Sequence, residues 1–209
     1  MLAYWLLFSI FAFSAINENK KYVTNDNLFA IGLSWYFWVF ILTFFIGFRD
    51  SIGTDWFPYV RLFNKISIIS FQELLTNISY SENISYSILI WISSKLGFGI
   101  YGANLLMGFI FSLFLIIFCN HFDRPYFALL ISIPYIIVVV GIGYGRQGVA
   151  LAFLMISFLC LFKNKKILFI LLIVAGSTFH KSLIFFLPFL ILSFDKNKFI
   201  LFFLSFFVY

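Results

Sequence analysis

The chain has 209 residues; 63% are hydrophobic, only 11% are charged, and phenylalanine alone accounts for 33. An average soluble domain carries about 25% charged residues, and one this short has too little interior to hide so much apolar surface, so a water-soluble fold is excluded. The formal charge of +6 does not indicate nucleic acid, because Lys and Arg fall in short clusters between apolar runs and form no basic stripe.

The first apolar run, 2–16, has no basic residue before it and is followed by Lys20 and Lys21. A cleaved signal peptide has the reverse charge order, so a membrane helix with its N-terminus outside is expected. Further candidate spans cover 28–48, 101–119, 126–143, 147–162, 167–179 and 182–194; another begins near Phe199 and is still apolar at Tyr209. The expectation is an all-α integral membrane protein of about eight transmembrane helices, forming one polytopic domain over 1–209 that is truncated at its C-terminus.

Residues 49–99 form the one long stretch that does not read as spanning helix. It carries Arg49, Asp50, Asp55, Arg61, Lys65, Glu73 and Glu82, and its last part, 84–98, is apolar but short and serine-rich. That part reads as re-entrant, interfacial or a short span. Lys20/Lys21, Arg124, Lys163/Lys165/Lys166 and Lys196/Lys198 all fall in the cytoplasm if 84–98 does not cross. Arg49, Asp50, Asp55, Arg61, Glu82, Arg146, His180 and Lys181 then share the extracytoplasmic face.

Two local patterns lead nowhere. Gly143-Tyr-Gly-Arg-Gln-Gly148 fits GxGxxG after the strand-like run 136–140, but lysines stand where a dinucleotide site wants an acidic residue. The same glycines echo a potassium filter, and Arg146 at its mouth would repel cations. Two histidines without His-x-x-x-His spacing, and no tight acidic cluster, give no metal site, and no cofactor is expected. Cys119 and Cys160 lie in apolar runs and read as small hydrophobes.

The remaining polar residues form a constellation. Arg146, set among Gly143, Gly145 and Gly148, is either a phosphate-binding fork or an interfacial arginine that snorkels to headgroups. His180-Lys181 interrupts a long apolar stretch, as a base or as the mark of a tight turn. Arg49, Asp50, Asp55, Tyr59 and Arg61 mix carboxylates, guanidinium groups and an aromatic, which suits a sugar or an interfacial amphipathic helix. Asp50 has Arg49 or Arg61 as a pairing partner.

Four motifs in order resemble the EpsG-like and Wzy-type bacterial polysaccharide polymerases. They are Arg49 with Gly53-Thr54-Asp55 and Tyr59; Glu82-Asn-Ile-Ser-Tyr86; Arg146-Gln147-Gly148 with Ala150; and Phe179-His180-Lys-Ser182 with Pro188. The chain lacks Pro-Gly after Glu82 and is shorter than usual members, which reads as a fragment. The resemblance implies a glycosyltransferase-type enzyme of O-antigen, capsule or exopolysaccharide synthesis in the bacterial inner membrane. It would join polyprenyl-pyrophosphate-linked repeat units on the outer face, alongside a flippase and a chain-length regulator. His180 is then the preferred base and Asp55 the fallback. Arg146 and Arg49 meet the diphosphate, and Asp50, Tyr59, Arg61, Glu82 and Gln147 line the substrate site. A transporter or flippase would use the same arginines for binding alone, and a non-catalytic assembly subunit is a third reading.

Overall fold

The computed structural model describes residues 2–19, 28–76 and 83–193. Glu82 and the run beginning near Phe199 lie outside them. The regular elements among the described residues are all helical, with no strand among them. In chain order the elements are α1 (Leu2–Ile16), α2 (Leu33–Gly47), α3 (Trp56–Ile66), α4 (Phe71–Thr76), α5 (Ile84–Lys95) and α6 (Gly99–Cys119). After these come α7 (Pro125–Ser132), which continues as a π-helix (Ile133–Ile142), α8 (Gly145–Phe162), α9 (Lys166–Ser177) and a 3₁₀ segment (Lys181–Ser193).

Gly99–Cys119, Pro125–Ile142 and Gly145–Phe162 are each long and apolar enough to cross a bilayer. Leu2–Ile16, Leu33–Gly47, Lys166–Ser177 and Lys181–Ile191 are apolar but shorter. The π-helix begins at Ile133, and Pro134 in its first turn has no N–H to give an ordinary helical bond. The strand-like reading of 136–140 is thus corrected: β-branched residues lie there on a helix, because the backbone within a bilayer must satisfy its own hydrogen bonds.

The helices run alternately, which gives the bundle two chemically distinct ends. Tyr4 of α1 meets Phe45 of α2, while Trp35 at the start of α2 stacks on Tyr126 at the start of α7. At that second end Arg124 donates to the Ala15 carbonyl, and the Glu18 carboxylate accepts the N–H groups of Tyr126 and Phe127. Those two donors belong to the first turn of α7 and have no partner within the helix, so Glu18 satisfies them from outside.

Helices α3 and α5 gather at the other end. Asn83, at the start of α5, faces Arg146 and Phe179, and Ser93 near its end donates to the Gly99 carbonyl at the start of α6. Trp91 and Lys95 donate to the Ile69 and Ser67 carbonyls beyond α3. Helix α5 therefore lies across one end of the bundle and does not run its length. The core is aliphatic and aromatic, with Cys119 and Cys160 buried in it as free thiols.

Candidate functional site

The link from α2 to α3 brings Arg49 and Asp55 together with the π-helix–α8 junction. Gly53 makes that approach feasible. Its φ of +95° suits only glycine, and an added Cβ would stand 2.9 Å from the Gly143 carbonyl oxygen. Asp55 follows at the N-terminus of α3, but its carboxylate does not cap the helix. It accepts instead from the hydroxyl of Tyr59, one turn later, at 2.9 Å.

Tyr59 is the hub. Its hydroxyl also accepts from the backbone N–H of Arg146 (3.2 Å) and from Arg146 Nε (3.3 Å). One proton given and two received fill the capacity of a phenol. The guanidinium of Arg146 lies 5.2 Å from the centre of the Tyr59 ring and 5.8 Å from that of Tyr86; Arg49 lies 5.7 Å from Tyr59. The two tyrosine rings are 4.8 Å apart. Burial pushes the Tyr59 phenol above its ordinary pKa, opposed by its bonds to Arg146, and burial pushes Tyr86 well above. Both stay protonated, so Tyr59 keeps its donor to Asp55.

Asn83 extends the cluster to the α9–3₁₀ junction. In the carboxamide orientation that satisfies both ends, it donates to the Phe179 carbonyl at 2.7 Å and accepts from Arg146 Nη1 at 3.0 Å. Ser85 and Thr178 hold the same junction through their hydroxyls, 2.6 Å apart. His180 sits on it, its Nδ1 2.6 Å from Ser182 Oγ. Burial, then the Arg146 charge, lowers the His180 pKa, while Asp55 pulls it up. The ring is therefore neutral at neutral pH, with a lone pair available to take a proton.

Beside this cluster an open groove of about 430 Å³ is lined by Pro58, Tyr59, Arg61, Leu62, Lys65 and Arg146. Every ionisable group on it, apart from the Tyr59 phenol, is a cation. Arg61 and Lys65 stand one turn apart on the exposed face of α3, leaving the charge uncompensated on that wall.

Of the residues singled out from sequence, Asp55, Tyr59 and Arg146 form one hydrogen-bonded cluster, and Arg61 reaches the groove. His180 joins through charge, next in the chain to Phe179 whose carbonyl Asn83 holds, without a direct hydrogen bond. Arg49 is only 4% exposed and lies behind Tyr59, outside the lining of the groove. Asp50 turns away: it accepts from Tyr101 (3.2 Å) and Ser51 (3.4 Å), not from an arginine. Gln147 is exposed beside Arg146, on no wall of the groove. Sequence reasoning gave no role to Asn83, Tyr86, Thr178 or Lys65. Tyr86 stood in a recognised motif, and its polar group in an apolar helix was the available signal.

Fold and site together define an apolar, all-helical bundle with helices long enough to cross a membrane, which gathers arginine, carboxylate, tyrosine and imidazole at one end. The EpsG family model matches residues 32–209, which includes all of these groups. The chain belongs to the EpsG family, a family of Wzy-type polysaccharide polymerase-like proteins, and membership makes it a membrane protein of surface-polysaccharide biosynthesis. No curated protein and no solved structure matched the chain.

Proposed function

We propose that the chain is a polymerase, or the part of one that holds its site, joining polyprenyl-pyrophosphate-linked oligosaccharide repeat units. In this reading it lies in the bacterial cytoplasmic membrane with about eight spans, and the Arg146 end of the bundle faces outward. The observation that carries the reading is the Tyr59 hub. It ties a carboxylate to Arg146, which reaches the junction bearing a neutral histidine through Asn83, beside a cationic groove of ligand size.

The acceptor sugar hydroxyl attacks the anomeric carbon of the donor glycan. The new C–O bond forms as the bond to the pyrophosphate breaks, and that electron pair leaves on polyprenyl pyrophosphate. His180 takes the hydroxyl proton, with Asp55 as the alternative base. Arg146, held by Tyr59 and Asn83, meets the charge that grows on the leaving group, where a fixed guanidinium needs no reorganisation. Arg61 and Lys65 line the route of the glycan or the second diphosphate. Arg49 was expected on the diphosphate; in this reading it acts from behind, supporting the Tyr59 ring. Glu82 keeps its expected place among the sugar-holding residues. A flippase that delivers the substrate and a chain-length regulator of the same system are the partners this reading proposes.

The test is direct. Purified protein given a lipid-linked repeat unit should lengthen it without nucleotide or metal. Movement of that substrate across vesicles with no lengthening would instead establish a transporter.

A further inference from the structure

A second, smaller cavity lies behind Tyr59, where α2, α6, the π-helix and α8 meet. It measures about 10 Å³, and its walls include Arg49, Asn104, Met107, Gly141 and Gly145. Arg49 and Asn104 are only 4% and 2% exposed. Among the described residues, none of the three guanidinium nitrogens of Arg49 has a hydrogen-bond partner, and neither does the oxygen or the nitrogen of the Asn104 carboxamide. Native interiors leave few such groups unpaired, and a buried cation without a counter-charge is the costliest of them. The Asp55 carboxylate accepts from Tyr59 and makes no hydrogen bond to Arg49. The chamber is kept open by its backbone. A Cβ at Gly145 would stand 3.1 Å from Arg49 Nη2 and 3.2 Å from Met107 Cε.

Size and polarity together select the occupant. A volume near 10 Å³ admits about one water-sized sphere, which excludes phosphate, carboxylates and sugars. Arg49 brings up to five N–H donors and Asn104 two more, against the Asn104 carboxamide oxygen and the weakly accepting Met107 sulfur among the lining side chains. A donor-rich chamber carrying a whole positive charge calls for an acceptor that is negative. Met107, a flexible thioether on the wall, gives the few tenths of an ångström that separate a halide from a water.

We propose that this chamber binds one halide-sized monovalent anion between the Arg49 guanidinium and the Asn104 carboxamide, as the structural counter-charge of Arg49. The site is separate from the groove, with which it shares no lining residue. It does not depend on the polymerase reading.

Thermal unfolding of the full chain in detergent tests it, at constant ionic strength, with chloride or bromide replaced by gluconate. The melting temperature should rise with halide, on the order of 3 °C per tenfold once the dissociation constant is passed. Asn104→Asp places a carboxylate beside Arg49 at nearly unchanged volume. It should melt in gluconate at least as high as wild type does in chloride, and lose the halide dependence. Arg146→Gln removes a groove cation and loosens its bonds to Tyr59 and Asn83 but touches no wall of the chamber, so it should keep the dependence. A melting temperature indifferent to halide overturns the proposal. So does a dependence that disappears in Arg146→Gln and persists in Asn104→Asp, because the ion would then sit in the groove.

Discussion

The two ends of the bundle use the same residue types in opposite ways. At the Glu18 end, charge closes the structure: a carboxylate takes two orphan N–H groups of α7, and Arg124 takes the last-turn carbonyl of α1. At the Arg146 end, three cations face an open groove and the buried guanidinium of Arg49 has no hydrogen bond among the described residues. A charge with its partner in the chain stabilises the fold, whereas a charge without one is positioned for something the chain does not contain. Mutations at the two ends should therefore separate stability from activity.

The largest effect is expected at Arg146. Arg146→Ala should lower polymer formation by about 10²–10³-fold or abolish it, with membrane insertion unchanged; the readout is the polysaccharide ladder. Arg146→Lys keeps the charge and loses the fork, so full activity in that variant would remove bidentate phosphate contact from the mechanism. Asp55→Asn comes next and distinguishes the two candidate bases. The Asp55 charge raises the His180 pKa, so its removal lowers that pKa further. The neutral, proton-accepting ring then persists to lower pH, and the acid limb of the rate–pH profile moves down. Loss of rate at every pH would make Asp55 itself the base.

Tyr59→Phe keeps the ring but removes the oxygen that orients Arg146. An effect of about tenfold is expected, mostly in kcat if Arg146 acts on the leaving group. The smallest change in activity belongs to the other end. Glu18→Gln should cost about 1 kcal/mol by weakening the bonds to α7, lowering the melting temperature by a few degrees with unchanged activity per folded molecule. An activity loss as large as that of Arg146→Ala would erase the distinction between the two ends.

Part of the site was legible because it is local. Asp55 and Tyr59 are four residues apart, so any helix starting there stacks them, and Gly53 before them marks a left-handed turn. Arg146 stood out as an ionised group between apolar runs. Asn83 and Asn104 were not legible, because nothing in their neighbours tells an asparagine that bridges two elements from one that caps or turns. Asp50 shows the converse: with Arg49 beside it in the chain, it accepts from a tyrosine 51 residues away.

The sequence by itself determined that the chain is helical and membrane-bound. Hydropathy is a sum over adjacent residues, and a bilayer leaves the backbone no other way to satisfy its hydrogen bonds. It also carried the order of motifs that places the chain in its family. Only the tertiary structure decided which polar groups meet. Arg146 and Tyr59 are 87 residues apart, and the bonds between them depend on how the helices align, a property no local window contains. The same alignment decided that Arg49 is sealed in the interior while Arg146 lines the groove, since burial is set by the neighbours that fold over a residue.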